Sequence, residues 1–437
     1  MRSTDVAVQS SRVTFRDIRL SQPFEIANGT IASFTLVIVE LTCADRTGKQ
    51  RTGRGAGVLS VPWSWPGSAL SVRDRDSIMR KLALSLTEET KAVGFADPIE
   101  HWQHLSSLLI TKPAGLHGWR RIGESIPHLA LTLPLGAVDN ALHDAWSRLA
   151  ERPAWSMYDA TFLNADLSST LGPEFKGRFP GDYLCDSRRH LPVQHVISPA
   201  DPLDDLDPLP GRPLSDWIRS EQLSHLKIKL AGSDGRTDAQ RIAQVFRVAR
   251  AVRPDTQPEL AVDPNESHPD PGTTLRMLDR LRRIEPEALA ATRYIEQPTP
   301  RAAPSDPASM AELSARVPVL LDEGLSGLDD LTTLRAHGWS GSVIKAAKGQ
   351  TLALLAHAFL CRFGLFATIQ DLTAVDLALR HSARLAGVLD LSAPQFEYNS
   401  RQYAPHINAE LARTDPEFAT VRDGRIDIGD AVAPGLY

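Results

Sequence analysis

The sequence predicts an α/β protein in which a smaller α+β domain precedes a closed (β/α) barrel. Near the N-terminus, two apolar strand-like runs, "RVTFRDIRL" and "SFTLVIVELT", are separated by the turn signal "NGT" and followed by helical stretches. From about Pro192 onwards, eight short apolar runs alternate with helical segments. Strands followed by helices are typical of an α+β domain, whereas repeated βα units specify a parallel sheet, and eight of them favour a closed barrel.

Length and composition indicate a soluble globular protein of two domains. The chain has 437 residues, of which 42% are apolar and 23% are charged, and its formal net charge is -5. A charge this small predicts neither nucleic-acid binding nor a basic membrane face. The first residues, "MRSTDVAVQS", lack the apolar core of a signal peptide, and no apolar run approaches the length of a membrane span. Three widely spaced cysteines predict reduced thiols in the cytoplasm, with neither a disulfide framework nor a zinc site.

In the first domain, helical periodicity extends from about Asp74 to Lys91 and again from Gly136 to Ala150. In the second domain, the predicted strands are "PVQHVIS", "HLKIKL", "ELAVD", "RYIEQ", "VPVLLDE", "SVIKAA", "LFATIQD" and "PQFEYN". Helical segments such as "DAQRIAQVFRVARAV", with one apolar stripe, connect them. The Pro- and Asp-rich run "SPADPLDDLDPLPGRPLSD" predicts a surface loop within the first unit.

Five of the eight predicted strands end with an ionisable residue, and successive ones are about one βα unit apart. These residues are Lys229, Asp263, Glu296, Asp322 and Lys345. Since the carboxyl ends of barrel strands meet at one mouth, we expect the five side chains to converge there. Three carboxylates so close would repel one another unless a cation lay among them, and an all-oxygen set suits Mg²⁺. The pattern therefore predicts a magnesium site formed by Asp263, Glu296 and Asp322.

Two lysines lie two residues apart within the apolar run "LKIK". Because side chains alternate along a strand, Lys227 and Lys229 share one face, which we expect to point to the barrel mouth. A lysine beside another cation has a lowered pKa and becomes a usable base near neutral pH. We therefore expect Lys229 to carry a proton, Lys227 to tune it, and Lys345 to act from the opposite side. A metal that chelates a substrate carboxylate stabilises the enediolate formed when an α-proton leaves.

The same residues carry a resemblance to a known family. "KIK", "VDPNES", "YIEQP", "PVLLDEG" and "SVIKAAK" occur in order at strand ends and resemble the strand motifs of the enolase superfamily, specifically its muconate-lactonizing-enzyme subgroup. "PFEIANGT" and "GRGAGVLSVPWSWPG" lie where that family has its two substrate-covering loops. The resemblance implies a capping domain over residues 1–135, onto which residues 400–437 pack back. It also implies a modified TIM barrel, (β/α)7β, over residues 136–400.

The resemblance further implies what the site holds. It assigns one Mg²⁺ per chain, with Mn²⁺ as an alternative, to Asp263, Glu296 and Asp322, and acid–base roles to Lys229 and Lys345. It also places Asn265 and Glu323 beside the metal ligands. The implied partners are a small-molecule carboxylate and further copies of the chain. Two departures bear on the substrate: "KGQ" replaces the usual Gly-Gly after the sixth-strand lysine, and the D-x-D of dipeptide epimerases is absent from strand eight.

Several residues have more than one interpretation. The two lysines of "KIK" would also suit a solvent-exposed pair or an ion pair with Asp263. Asp263 and Asp322 would suit helix N-caps, but Glu296 would not, because Glu caps helices poorly. For Asn265, Glu323 and Asp371, support of the ligands, substrate contact and simple capping stay open, and for Lys227 support of the site and substrate contact stay open. The same holds for Glu397, Tyr398, Trp63 and Trp65, which would contact a substrate or pack. His101 and His104 in "HWQH" lack further metal ligands.

The function predicted from these residues is removal of the proton α to a substrate carboxylate, in a racemase, epimerase or cycloisomerase. The alternatives are a dehydratase that acts on a sugar acid or hydroxy acid, and a metal-binding barrel that has lost catalysis.

Overall fold

The computed structural model describes residues 2–27, 29–111, 123–232, 234–301 and 307–437. The chain begins with an antiparallel sheet of three strands in sequential order. These strands are β1 (Ala7–Ile26), β2 (Gly29–Ala44) and β3 (Gln50–Leu59). The predicted substrate-covering loop "PFEIANGT" is therefore the tight end of the β1–β2 hairpin, where Ile26 pairs with Gly29. Asn28 of that loop lies outside the described residues.

Four helices pack on this sheet or on one another. They are α1 (Val61–Ser64), α2 (Val72–Glu89), α3 (Pro98–Thr111) and α4 (His128–Leu149). Helix α2 starts at Val72, two residues before the predicted Asp74, because the Ser71 hydroxyl caps it by accepting a hydrogen bond from the backbone N–H of Asp74. Helix α4 packs backbone to backbone on β3: a Cβ added at Gly55 would lie 2.1 Å from the carbonyl oxygen of Ala137. Glycine is required there for the two elements to approach.

The start predicted for α4 was wrong. The apolar periodicity began the helix at Gly136, whereas α4 starts at His128 and runs through Pro134 and Gly136, two residues that disfavour helix interiors. Nearly all of α4 is buried, so tertiary packing outweighs the local preference of these residues.

The second part of the chain forms a closed barrel of eight parallel strands. They are β4 (His190–Ile197), β5 (His225–Lys229), β6 (Glu259–Asp263), β7 (Thr292–Glu296), β8 (Val319–Leu321), β9 (Gly341–Ile344), β10 (Phe366–Ile369) and β11 (Phe396–Glu397). Each strand pairs with its sequence neighbour from β4 to β10, and β11 pairs with β4. A bridge from Thr368 to Ala393, just before β11, closes the ring. All eight predicted strands are thus confirmed.

The remaining helices surround the barrel or follow it. They are α5 (Ser168–Leu171), α6 (Leu214–Glu221), α7 (Gly235–Val252), α8 (Pro271–Ile284), α9 (Pro286–Ala291), α10 (Pro307–Arg316), α11 (Leu328–Leu334), α12 (Gln350–Arg362), α13 (Asp376–Val388), α14 (Ser400–Tyr403), α15 (Ala409–Thr414) and α16 (Pro416–Ala419). Short 3₁₀ turns lie at 90–92, 154–156, 173–175, 180–183 and 346–348. The Pro- and Asp-rich run forms an irregular segment until α6 begins.

The two parts are joined by α4 and by the C-terminal segment. The predicted boundary between residues 135 and 136 falls within α4 and stays a prediction. After the barrel, β12 (Arg425–Asp427) pairs with β4, and the Tyr403 ring packs on Phe24 of the first sheet, with ring centroids 4.6 Å apart. The Tyr437 hydroxyl donates to the backbone carbonyl of Arg54 in β3. None of the helices in the described ranges has the length and apolar character needed to cross a membrane.

Candidate active site

The site lies at the carboxyl ends of the barrel strands, where the structure brings together all nine predicted site residues. Lys227 and Lys229 point into the barrel, and Lys229 pairs in register with Asp263 on the neighbouring strand. Leu226 and Ile228 belong instead to the apolar core shared with the surrounding helices. The predicted orientation of the "KIK" run is therefore confirmed, and it follows from the alternation of side chains along β5.

Lys227 lies at the base of the site and is completely buried. Its Nζ is 2.7 Å from Glu296 Oε2 and 3.2 Å from both Asp263 Oδ2 and Glu397 Oε2. Burial favours the neutral amine, but these three carboxylates outweigh burial and raise the pKa of Lys227 well above its ordinary value. Lys227 is not among the residues that line the small cavity shared by Lys229 and Lys345. Its placement suits a fixed positive charge beneath the site.

Lys229 and Lys345 lie on different strands and line the same cavity. Lys229 Nζ makes a close ion pair with Asp263 Oδ2, whereas Lys345 Nζ is 2.8 Å from Asp322 Oδ2 and 3.9 Å from Glu296 Oε1. Burial lowers the pKa of Lys345, but the adjacent carboxylates Asp322 and Glu296 outweigh burial and raise it. The expectation that Lys227 lowers the pKa of Lys229 stays a prediction.

The three predicted metal ligands are fully buried and respond differently to their surroundings. Burial raises the pKa of Glu296 well above its usual range, and the charge of Asp263 adds to that rise. For Asp263 and Asp322, burial also favours the protonated acid, but adjacent lysines outweigh it and lower both pKa values. Of the three carboxylates, Glu296 is the one whose negative charge the adjacent lysines stabilise least.

The donor set of these three residues fits a hard divalent cation. All the available atoms are carboxylate oxygens, and both oxygens of Glu296 and Oδ2 of Asp322 are buried and held by ion pairs with Lys227 and Lys345 rather than by other hydrogen bonds. Within the described ranges, no three acidic, histidine or cysteine side chains are arranged as a metal cluster. The ammonium groups of Lys227 and Lys345 stand between the carboxylates instead.

Asn265 and Glu323 lie beside the ligands and connect them to the first domain. Glu323 Oε1 accepts hydrogen bonds from Asn265 Nδ2 at 3.1 Å and from the indole N–H of Trp63 at 2.9 Å. Burial, reinforced by Asp322, raises the pKa of Glu323 to about 7. The Trp63 ring also covers Lys345 Nζ, which is 4.9 Å from the ring centroid. Trp63 therefore covers the site, which sequence reasoning left open.

Other residues named from the sequence lie elsewhere. The indole N–H of Trp65 donates to Glu124, away from the site. His101 is buried, and its Nε2 is 3.0 Å from the carbonyl oxygen of Val6. These contacts favour structural roles for both residues.

Sequence reasoning missed two residues that organise the turns around Asp322. Gln297, at φ 35°, places its side-chain oxygen 2.8 Å from the backbone nitrogen of Asp322 and 3.1 Å from that of Gly324. Lys348 Nζ donates to the carbonyl oxygen of Asp322 and lies 3.4 Å from its Oδ1. The replacement of Gly-Gly by "KGQ" was the available signal for Lys348, but a single sequence does not show where the side chain points.

The small cavity lined by Lys229 and Lys345 combines side chains from both parts of the chain. Its lining comprises Phe24, Ile26, Ile31, Phe34, Ser60, Trp63, Lys229, Lys345, Asp371, Leu372, Thr373, Glu397 and Asn399. The first domain supplies an apolar roof, and the barrel supplies a charged floor. Asp371, which is predicted from the sequence, lies in this floor, and burial followed by repulsion from Glu397 raises its pKa to about 7.

Comparisons with known proteins agree with this geometry. Residues 213–436 match the family model described as enolase C-terminal domain-like. None of the curated proteins compared with the chain matches it. Similar solved structures include a muconate lactonizing enzyme from Pseudomonas fluorescens complexed with muconolactone, at 16% identity and a TM-score of 0.65, over 99% of this chain and 96% of that chain.

The structures of two epimerases are also similar to this chain. The L-Ala-D/L-Glu epimerase from Bacillus subtilis has 16% identity and a TM-score of 0.63, with 98% of each chain covered. A dipeptide epimerase from Enterococcus faecalis, complexed with Mg and the dipeptide L-Leu-L-Tyr, has 15% identity and a TM-score of 0.63, with 99% of each chain covered. At these identities, the likeness shows a shared fold over nearly the whole chain.

Proposed function

The chain belongs to the enolase C-terminal domain-like family, and we propose that it is a magnesium-dependent isomerase that removes the proton α to a substrate carboxylate. One observation carries this proposal: Lys229 and Lys345, from the second and sixth barrel strands, line one cavity beside three buried carboxylates. Two nitrogen groups that reach one cavity from different strands suit proton transfer at two faces of one carbon. A racemase, an epimerase or a cycloisomerase uses such an arrangement.

The magnesium ion would be held by Asp263, Glu296 and Asp322. The charge around the site supports a dication, because four buried lysines face six buried acidic residues. The lysines are Lys227, Lys229, Lys345 and Lys348, and the acids are Asp263, Glu296, Asp322, Glu323, Asp371 and Glu397. With all of them ionised, two negative charges are left to be neutralised. When bound, the ion would stabilise the negative charge that develops on the substrate carboxylate.

The lysines would carry the proton transfer. In its unprotonated form, the amine on one side takes the α-proton, so that the C–H bond breaks and an N–H bond forms. The ammonium group on the other side returns a proton to the same carbon, which inverts its configuration. Trp63 and the apolar roof cover the cavity and would limit its contact with bulk water.

The proposal is tested by incubating the magnesium-loaded protein with a panel of chiral carboxylates in D₂O. We expect deuterium to appear at the α-carbon, detected by NMR, together with loss of optical purity. Lys229→Ala and Lys345→Ala should each abolish inversion, while Lys176→Ala, which changes an exposed lysine, should leave it unchanged. Exchange that persists when both Lys229 and Lys345 are replaced would refute the assignment. A product lighter by one water would indicate the dehydratase instead.

Assembly into a homo-oligomer, which the family resemblance implies, is also part of this proposal. Light scattering coupled to size-exclusion chromatography measures it directly, and a mass equal to one chain would contradict it.

A further inference from the structure

A second cavity lies beside the first barrel strand and shares no lining residue with the cavity of the candidate active site. Its volume is about 90 Å³, roughly three times the volume that one water molecule occupies in the liquid. Strands β1 and β4, helices α6 and α14, and the irregular segment before α6 all contribute to its wall. The polar and charged side chains in this wall are Gln22, His195, Asp201, Arg212 and Gln402.

The neighbour of His195 determines which ring nitrogen carries the proton. Arg401 Nη2 lies 2.7 Å from His195 Nδ1. Because a guanidinium only donates hydrogen bonds, Nδ1 must accept this one, and the proton of the neutral ring is then on Nε2. Burial, together with the charge of Arg401, lowers the pKa of His195 well below its ordinary value, so the ring is neutral.

Gln402 presents a second N–H group at the same place. Its Nε2 donates to the carbonyl oxygen of Val196 at 2.9 Å, and its Oε1 accepts from Arg401 Nη1 at 3.1 Å, so the orientation of the amide is fixed. His195 Nε2 is 3.4 Å from Gln402 Nε2, and both atoms are donors. The N–H of His195 and the second N–H of Gln402 therefore have no acceptor among the described residues. Two adjacent buried donors favour an acceptor atom in the cavity that both residues line.

Arg212 adds a positive charge to the cavity wall. Its guanidinium stacks on the Trp217 ring, 4.1 Å from the ring centroid, and its Nη2 donates to Ser220 Oγ at 2.6 Å. The nearby carboxylate of Asp216 is paired with Arg219 instead, at 2.6 Å. Arg212 thus forms no ion pair within the described part of the chain, and its charge favours an anion in the cavity.

Asp201 contributes a carboxylate to the same cavity. Its Oδ2 accepts hydrogen bonds from the backbone N–H of Ser198 at 2.7 Å and from the hydroxyl of Tyr403 at 2.9 Å. Its Oδ1 accepts no hydrogen bond from the residues that the structure describes. A ligand in the cavity therefore meets three kinds of N–H donor and one carboxylate acceptor. A molecule that matches this set has several acceptor oxygens and one O–H group.

We propose that this cavity binds a small oxyanion that keeps a proton at neutral pH, either hydrogen phosphate or bicarbonate. Its oxygens accept hydrogen bonds from His195, Gln402 and Arg212, and its O–H group donates to Asp201. Sulfate resembles hydrogen phosphate in shape and charge but has no proton at pH 7, so it would place an oxygen against the Asp201 carboxylate. Because Gln22 of β1 lines the same cavity, the bound ion also connects the first sheet to the barrel.

Calorimetric titration of the full-length protein at pH 7 tests this proposal. The probes are sodium phosphate, sodium bicarbonate and sodium sulfate, each titrated with and without Mg²⁺. We expect phosphate or bicarbonate to bind at least about tenfold more tightly than sulfate in both conditions, and the tighter of the two identifies the ion. Asp201→Asn keeps an acceptor for Ser198 and Tyr403 but presents an N–H group to the cavity, so it should abolish or reverse the preference over sulfate.

Further variants test the donors. Arg212→Met and His195→Phe should each weaken binding of the preferred ion by about tenfold or more. Arg219→Met, which changes an exposed arginine on the same helix, should leave the affinity unchanged. Thermal unfolding first establishes that each variant is folded. Arg212 is exposed, so its replacement tests the site even if His195→Phe does not fold.

Four results would overturn the proposal. They are equal affinity for phosphate, bicarbonate and sulfate, binding that requires Mg²⁺, binding that Arg212→Met leaves unchanged, and no binding of any of the three ions. The last result would mean that water alone fills the cavity. None of these results bears on the proposed α-proton transfer, which takes place at a different cavity.

Discussion

The ammonium nitrogen of Lys348 lies 2.6 Å from the backbone carbonyl oxygen of Asp322 and 3.4 Å from its carboxylate Oδ1. On the other side of the same carboxylate, Lys345 Nζ is 2.8 Å from Oδ2. Two lysines thus neutralise one of the three acids assigned to the metal. Burial lowers the pKa of Lys348, although Asp322 opposes that effect. A cation held this close competes with a divalent ion for Asp322.

Lys348→Met should therefore strengthen magnesium binding and weaken the metal-free fold. Removing a positive charge beside a ligand should raise the affinity for Mg²⁺ by about tenfold or more. In the metal-free protein, Asp322 loses one of its two ion-pair partners, and breaking a buried pair costs about 3–5 kcal/mol of unfolding free energy. Calorimetric titration measures the first effect, and urea unfolding with and without Mg²⁺ measures the second.

The matched control for this change is Lys176→Met, at an exposed lysine. It should alter neither quantity. A Lys348→Met protein with unchanged magnesium affinity would show that Lys348 does not compete with the metal.

Glu296→Gln should have the opposite effect on the metal-free protein. Among the three predicted metal ligands, Glu296 is the one whose pKa is raised, even with Lys227 Nζ 2.7 Å from its Oε2. A neutral side chain of the same shape relieves its repulsion with Asp263, so the free energy of unfolding without metal should stay the same or rise. Magnesium affinity should fall by at least about tenfold, because one charged ligand is lost. Thermal unfolding across a Mg²⁺ titration reports both, and a destabilised metal-free variant would contradict the prediction.

Features that depend on the local sequence pattern were predictable, whereas contacts between residues distant in sequence were not. The apolar runs that end in Lys229, Asp263 and Glu296 end their strands at those residues, because strand periodicity and the barrel mouth are properties of the local pattern. The role of Lys348 follows instead from a contact with Asp322, 26 residues away in sequence. Similarly, Trp63 reaches Glu323 across 260 residues. Contacts of this kind depend on how elements pack, which a single sequence does not specify.

Gly136→Ala tests how helix α4 positions the turn that carries Lys345 and Lys348. A Cβ at Gly136 would lie 2.5 Å from the carbonyl oxygen of Ala347, and Asp139 Oδ2 accepts the backbone N–H of Thr351 at 2.7 Å. Because the clash involves backbone atoms, the turn must shift, at a cost of about 1–3 kcal/mol. We expect a larger loss of α-proton exchange than of substrate affinity, measured separately by NMR and calorimetry. Normal exchange in a destabilised variant would show that α4 supports the fold without positioning the lysines.

Acid should destabilise the protein through its buried histidines, and His381 is the clearest case. His381 Nε2 is 2.7 Å from Gln350 Oε1, and burial, with a contribution from His143, lowers the pKa of His381 to about 3. In the unfolded chain, a histidine takes up a proton below about pH 6.5. The stabilising contribution of neutral His381 is therefore complete above about pH 6.5 and is lost as the pH falls towards 3. Over this range, the free energy of unfolding falls by up to about 1.4 kcal/mol per pH unit because of His381.

Urea unfolding at pH 7.5, 6.0 and 5.0 measures this slope. His381→Gln retains a donor for Gln350 and cannot be protonated, so its unfolding free energy should fall less steeply than that of the wild type. Burial also lowers the pKa of His101, His195 and His357, so some acid sensitivity should remain in the variant. Equal slopes for the two proteins would mean that His381 is protonated in the folded state at these pH values, in conflict with its complete burial.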